Sequence, residues 1–249
     1  MNIKSFEKRI LFEDNHIIIV NKEASEIVQG DKTGDKPLSE LTQEYIRIKY
    51  KKPGSVFLGV VHRIDRPVSG AVIFAKTGKA LSRLNELIKK NEIHKTYWAV
   101  VGERPPQMKE KLVHYLRKNA KQNKSYPVKE TDREAKRAEL NYELIGTSND
   151  YFLLEIDLIT GRHHQIRAQL ATIKCRIRGD LKYGAPRSNI DSSIHLHARS
   201  ISFIHPVKKE KLEVVAPVPN DPLWQYFEEN LAPIKKIKPN KKKPHKFRK

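Results

Sequence analysis

The sequence predicts an α+β fold in which a mixed, mainly antiparallel sheet carries flanking helices. Three observations lead there. Apolar runs of period two outnumber apolar stripes at helical spacing. Neighbouring runs are often separated only by short turn signals, as in hairpins. At 249 residues the chain is also long enough to bury a sizeable core.

The elements follow in order. "RILFEDNHIIIVNK" reads as two strands joined at Asp14-Asn15. "GDKTGDK" has too few residues between its glycines, and no Ser or Thr after the lysine, to be a phosphate loop. Leu38, Leu41, Tyr45 and Ile48 recur as the apolar stripe of a helix. "GVVHRIDRPVSGAVIFAK" is a strand, a charged turn and a second strand, and Thr77 then caps a helix facing inward through Leu81, Leu84, Leu87 and Ile88. "HKTYWAVVGE" is a strand. A long basic excursion from Arg117 to Arg137 separates it from two alternating runs, Ala138 to Leu144 and Phe152 to Leu158. Thr160-Gly161 is expected to open a helix through "RHHQIRAQLATIK", with Arg162 and His163 in its first turn. Two strands, "HARSISFIH" and "KLEVVAP", and a helix, "PLWQYFEENL", close a catalytic-sized domain over residues 1–231. Residues 232–249 are expected to form a basic disordered tail, too polar to fold alone.

Charge narrows the function. Lys and Arg number 49 against 29 acids, a formal net charge of +20. Nine of those bases lie in Ile234–Lys249, and removing them still leaves +11. A body this basic implies a polyanionic partner, nucleic acid above all. Cys175 is the only cysteine, which excludes an internal disulfide and a Cys-based zinc site. The amino-terminal stretch lacks a signal peptide's apolar core, and no segment has the ~20 apolar residues of a membrane span, so a cytoplasmic protein is expected.

The residues with chemical potential cluster in three stretches. Asp65 lies between Arg63 and Arg66, where two apolar strands meet. A surface ion-pair turn is the plain reading. Apolar flanks, Pro67 and Gly70 favour instead a shaped loop presenting a carboxylate as nucleophile or base. The kinase pattern H-R-D fails because Ile64 intervenes and no glycine-rich loop or D-F-G accompanies it. In "TGRHHQIRAQL", Arg162 and Arg167 are candidate anion contacts. His163-His164 and His195-Leu196-His197 lack acidic or Cys ligands beside them, so no metal is expected. Tyr97 alternates with Trp98, one ring to each face of a strand, and by itself reads as core.

"HRIDRPVSG", "KTYWAVV", "TGRHHQIRAQLA" and "GDLKYG" in this order resemble the RluA-type pseudouridine synthases, over roughly Ile10 to Pro217. The resemblance implies isomerisation of a uridine within rRNA or tRNA, by base flipping and without cofactor. By that likeness Asp65, Tyr97 and Arg167 would be catalytic, Arg167 as the ionic partner of Asp65. Arg63, Arg162 and His62 would contact the substrate. The chain departs from the family pattern at Glu23 and Ser25, and again at His163 and Ala168-Gln169. A non-catalytic RNA-binding or ribosome-assembly protein would explain the charge equally well, but does not require Asp65 in this setting. A metal-dependent nuclease or glycosidase would need a second carboxylate or a ligand cluster that no motif supplies. A monomer is expected, there being no coiled-coil seam.

Overall fold

The computed structural model describes residues 3–231. The predicted basic tail lies outside the described residues. A short helix, α1 (Ile3–Glu7), leads into the hairpin of β1 (Ile10–Glu13) and β2 (Ile17–Lys22). Asp14 makes that turn by accepting the backbone N–H groups of His16 and Ile17. α2 (Leu38–Lys49) follows, then β3 (Gly59–Val60), an irregular loop and β4 (Ser69–Ala75). α3 (Gly78–Lys89) begins at Thr77, whose hydroxyl accepts from the Ala80 N–H. Next come β5 (His94–Val101), β6 (Lys109–Asn119), β7 (Lys124–Val128), β8 (Lys136–Thr147) and β9 (Phe152–Leu158). α4 (Gln165–Thr172), β10 (Leu196–Ile204), β11 (Lys211–Val215) and α5 (Pro222–Asn230) complete the described chain.

The strands form one sheet in the order β1-β2-β4-β10-β5-β9-β8-β6-β7, with β11 also on β10 and β3 also on β4. Only β4 and β10 run parallel; every other pair is antiparallel. The predicted α+β fold with a mixed, mainly antiparallel sheet is therefore what the chain adopts. Strand alternation sends helices to both faces. Ile18 and Val20 pack beneath α2, whereas Ile17 and Ile19 pack beneath α3. Tyr97 and Ala99 join the core under α4, while Trp98 and Val100 meet Trp224 and Phe227 of α5. Ile64 touches both the α2 and the α4 clusters, so those two helices share a face. Ile17 to Val20 are fully buried, each contributing about 1.5–3 kcal/mol.

Three expectations need correction. The excursion from Arg117 to Arg137 contains a β-hairpin, since β6 and β7 pair with Tyr115 opposite Val128 and Asn119 opposite Lys124. Its side chains are polar on both faces beyond Leu116, which hid the period-two signal. In α2, Ile48 is exposed and Thr42 and Ile46 are buried instead, so the inward stripe is rotated. The helix expected to start at Thr160 starts at Gln165, leaving Arg162 and His163 ahead of its first turn. Thr160 caps nothing. Its hydroxyl donates to the Gln165 side chain, and that side chain accepts from the Arg162 N–H.

The β4–β10 pairing positions the charged loop. Gly70 lies opposite Ala198 with φ +116°, and a Cβ there would come within 2.4 Å of the Ala198 carbonyl. Only glycine lets the two strands approach so closely. The loop before β4 is consequently pinned against the start of β10, and the Ile194 N–H donates to the Pro67 carbonyl at 3.1 Å.

Candidate active site

Asp65 lies in that loop, in a turn closed by its own carbonyl accepting from the Val68 N–H. The arginines beside it in sequence are not its partners. Arg66 reaches outward to Asp35 at 2.7 Å, and Arg63 is exposed along the rim of a cavity. The partner is Arg167, 102 residues away on α4, whose Nη1 donates to Asp65 Oδ2 at 3.0 Å. Arg167 is in turn gripped by Asp180, through Nε to Oδ2 at 2.7 Å and Nη2 to Oδ1 at 2.8 Å. This fork-to-fork pair is almost wholly buried, with Arg167 at 5% exposure and Asp180 at 1%. Burial opposes the Arg167 charge, but the bonds and charge of Asp180, then of Asp65, outweigh it and hold the guanidinium's pKa above its ordinary value. Asp65, at 27% exposure, is the accessible end of the array.

The cavity at that end holds about 100 Å³ and is walled by Asp65, Tyr97, Arg63, Arg162 and His164 among others. Tyr97 reaches it from β5, where it lies opposite Ala198 and Ile156. Its ring is 6% exposed, and burial first, then the Asp65 charge, push its phenol well above the ordinary range. It is a neutral, largely apolar wall. Arg162 is held at the mouth by its Nε–H donating to the Arg137 carbonyl at 2.9 Å. The structure thus brings together Asp65, Tyr97, Arg167, Arg63 and Arg162. His62 lies apart from the cavity lining. Its Nε2 accepts from the Ile73 N–H at 3.1 Å, and burial lowers its pKa to about 3, so the ring is a neutral brace for the loop.

Sequence reasoning gave no role to four groups that the fold places here. Asp180 and Tyr183 both belong to "GDLKYG", and Arg167 lies 5.1 Å from the Tyr183 ring centre. His164 approaches Asp65 Oδ2 at 3.6 Å and stacks on His163 at 3.8 Å. Lys22 is completely buried, and its ammonium donates to the carbonyls of Glu23, Glu26 and Arg66 at 2.8–3.0 Å. Burial draws the Lys22 pKa down to about 7, against the opposing charges of Glu26 and Asp65. By holding the Arg66 carbonyl, Lys22 clamps the residue next to Asp65. In the sequence Lys22 is only a lysine ending an apolar strand, although alternation places it on the face of Ile18 and Val20. Among the described residues, no group of three His, Cys, Asp or Glu side chains is placed to hold a metal.

Comparison with known proteins shows the family. The family model described as RNA pseudouridylate synthase matches residues 16–172, which include Asp65, Tyr97 and Arg167. The chain belongs to the RNA pseudouridylate synthase family. It is an isomerase of RNA, and the RluA-type resemblance in its motifs holds. One relative, the ribosomal large subunit pseudouridine synthase C of Buchnera aphidicola subsp. Baizongia pistaciae, is 31% identical over 86% of this chain and 68% of its own length. The ribosomal large subunit pseudouridine synthase D of Xylella fastidiosa is 30% identical over 85% of this chain and 66% of its own. In fold, the structure titled human RNA pseudouridylate synthase domain containing 4 superimposes with a TM-score of 0.73. It is 21% identical, covering 88% of this chain and 91% of that one. Among the described residues no helix is long and apolar enough to cross a membrane.

Proposed function

We propose that this synthase converts one specific uridine of ribosomal RNA to pseudouridine, with Asp65 as the catalytic carboxylate. One observation carries the reading. Asp65 is held through a single oxygen by a buried, doubly anchored arginine, at the edge of a cavity walled by an uncharged aromatic ring. A uridine within structured RNA has to leave its stack before that cavity can take it. Arg63 and Arg162, exposed at the rim, are suited to the flanking phosphates or to the space the base vacates. Tyr97 then packs on the uracil, and Asp65 faces the sugar.

In the reaction the bond between N1 and C1′ breaks, the base turns, and C5 bonds to C1′. The C5 proton departs and N1 gains one, so the product is an isomer. As the first bond breaks the sugar acquires positive charge, which an ionised carboxylate stabilises or traps. Arg167 keeps Asp65 aimed while Asp180 keeps Arg167 aimed. Relatives that are ribosomal large subunit pseudouridine synthases favour ribosomal over transfer RNA. The net charge of +20 suits an RNA substrate.

The test is tritium release from RNA labelled at C5 of uridine, together with pseudouridine mapping in a strain lacking the gene. Asp65→Asn keeps the shape and removes the charge, so RNA binding persists while turnover falls by several orders of magnitude. Residual turnover above about 1% of wild type would remove Asp65 from the catalytic role.

A further inference from the structure

His164 stands at an expensive position. It is the residue before α4, with φ 52° and ψ 28°, a left-handed conformation that side chains other than glycine rarely adopt. An N-cap residue normally spends its side chain on the first free N–H groups of the helix, yet His164 makes no such bond. Its ring is 7% exposed and turned the other way, with Nε2 3.6 Å from Asp65 Oδ2 and Nδ1 3.1 Å from the Tyr183 hydroxyl.

The hydrogens around Tyr183 decide which nitrogen carries the proton. The Tyr183 oxygen accepts from the Ser125 N–H at 2.9 Å. It also lies 3.1 Å from the Ser125 carbonyl and 3.1 Å from His164 Nδ1, with one hydrogen to give. If that hydrogen goes to Ser125, Nδ1 must donate to Tyr183, and a bare Nε2 lone pair then faces the Asp65 carboxylate. If it goes to Nδ1, the imidazole proton is on Nε2 and points at Asp65 Oδ2. An ionised Asp65 favours the second arrangement. The ring stays uncharged in both, because burial, then Arg167 and His163, lower its pKa to about 2. The contact with Asp65 is therefore between a neutral N–H and a carboxylate, not an ion pair.

We propose that His164 is a positioning residue for the uridine reaction: its Nε2–H, set by Tyr183, fixes Oδ2 of Asp65 together with Arg167, so that Oδ1 is the oxygen presented to the sugar. The Arg167 hydrogen bond and the His164 approach both fall on Oδ2, and among the described residues no hydrogen bond falls on Oδ1. At 3.6 Å the His164 contact is longer than a hydrogen bond. In this proposal it tightens in the complex with the uridine, as catalytic hydrogen bonds commonly do. The left-handed backbone is what places the ring here, since a helical residue at 164 would carry it along the α4 surface.

This inference rests on Asp65 acting on a uridine, so the experiment separates the two. In the first arm, long-range proton–nitrogen NMR of the purified full-length protein, with no RNA present, reads the His164 tautomer. The signal is assigned by its loss in His164→Gln. A proton on Nε2 with a bare Nδ1, becoming a mixture of tautomers in Tyr183→Phe, is expected. A proton on Nδ1 in the wild type overturns the proposal whatever the enzyme does. In the second arm, a large-subunit ribosomal RNA transcript tritiated at C5 of uridine is the probe. His164→Asn tolerates the left-handed backbone but is too short to reach Asp65. Its single-turnover rate should fall about 10²-fold, the cost of a carboxylate misplaced by about 1 Å, with RNA affinity within about threefold. His164→Gln, whose amide N–H reaches the position of Nε2, should recover most of that loss. A His164→Asn rate equal to wild type, or equal losses in the Asn and Gln variants, refutes the positioning role. A wild type that releases no tritium counts against the uridine reading, and the NMR arm then judges His164 alone.

Discussion

Removing the Arg167 side chain separates what holds the site together from what it does. Arg167→Met keeps most of the volume and deletes three N–H donors, two to Asp180 and one to Asp65. Asp65 can turn to solvent, but Asp180 at 1% exposure cannot. A buried carboxylate stripped of its charged partner costs about 3–5 kcal/mol. For a domain of this size that corresponds to a fall in Tm of roughly 6–20 °C. The loss should show in urea titrations as a lower midpoint with an unchanged slope. Adding Asp180→Leu removes the stranded charge, and the double variant should regain all but about 1–2 kcal/mol, because buried ion pairs are close to neutral against well-packed apolar replacements. Turnover should not return, since Asp65 still lacks its aiming donor. Arg167→Lys keeps the charge without the fork, so it should fold and recover only part of the rate. An Arg167→Met variant within 1 kcal/mol of wild type, or a double variant no more stable than the single, would refute the claim that Asp180 is the buried dependent of this pair.

Three further outcomes follow. Gly70→Ala drives a Cβ into the Ala198 carbonyl at a positive φ, so it should destabilise the protein by more than about 1 kcal/mol and depress turnover through the Asp65 loop; an unchanged melt with full activity would contradict the close approach. His197 is fully buried, and burial lowers its pKa from 6.5 to about 4, with Arg199 adding to the shift and the Ala216 carbonyl opposing it. Between those values the unfolded chain binds a proton that the folded one does not. Stability should then fall by about 1.4 kcal/mol per pH unit as pH drops through that window, and urea titrations of His197→Gln should show a slope shallower by one proton. Deleting Ile234–Lys249 removes nine bases, and the slope of log K for RNA against log salt should flatten by roughly 2–6 units while saturated turnover is unchanged; identical slopes would mean that this segment does not touch phosphate.

Local chemistry made much of the fold legible. Thr77 caps α3 with its side-chain oxygen as its position foretells, and Asp14 closes the first hairpin. Strand alternation correctly sent Tyr97 and Trp98 to opposite faces. Failures came where a side chain answers to something distant in sequence. The β6–β7 hairpin is tied to the segment just before α4 and to the "GDLKYG" turn, through Ser125 to His163 and Tyr183, rather than marked by its own apolar pattern. The start of α4 was misplaced because Thr160, a good cap by type, is tied to Gln165 and Glu139 instead. In the site, Asp65 and Arg63 could be singled out locally, since charged residues at an apolar junction are conspicuous. The Arg167 pairing came from resemblance, and Asp180, His164 and Lys22 came from neither.

The reason the Asp65 loop can be so short and still hold its geometry lies in where its constraints originate. Residues 61–68 have no ladder partners of their own. Lys22 fixes the Arg66 carbonyl from the end of β2, and the Ile194 N–H fixes the Pro67 carbonyl from the approach to β10. His62 takes the Ile73 N–H from β4, and Arg167 takes the Asp65 carboxylate from α4. Four restraints from four segments leave the loop little freedom to lose on binding RNA, which is what preorganisation of a charge-stabilising carboxylate requires. Two of those restraints act on main-chain carbonyls and a third on the His62 ring, and only the fourth acts on Asp65 itself. Removing the Asp65 charge therefore leaves the loop in place, whereas loosening Lys22 or Gly70 moves an intact carboxylate out of register.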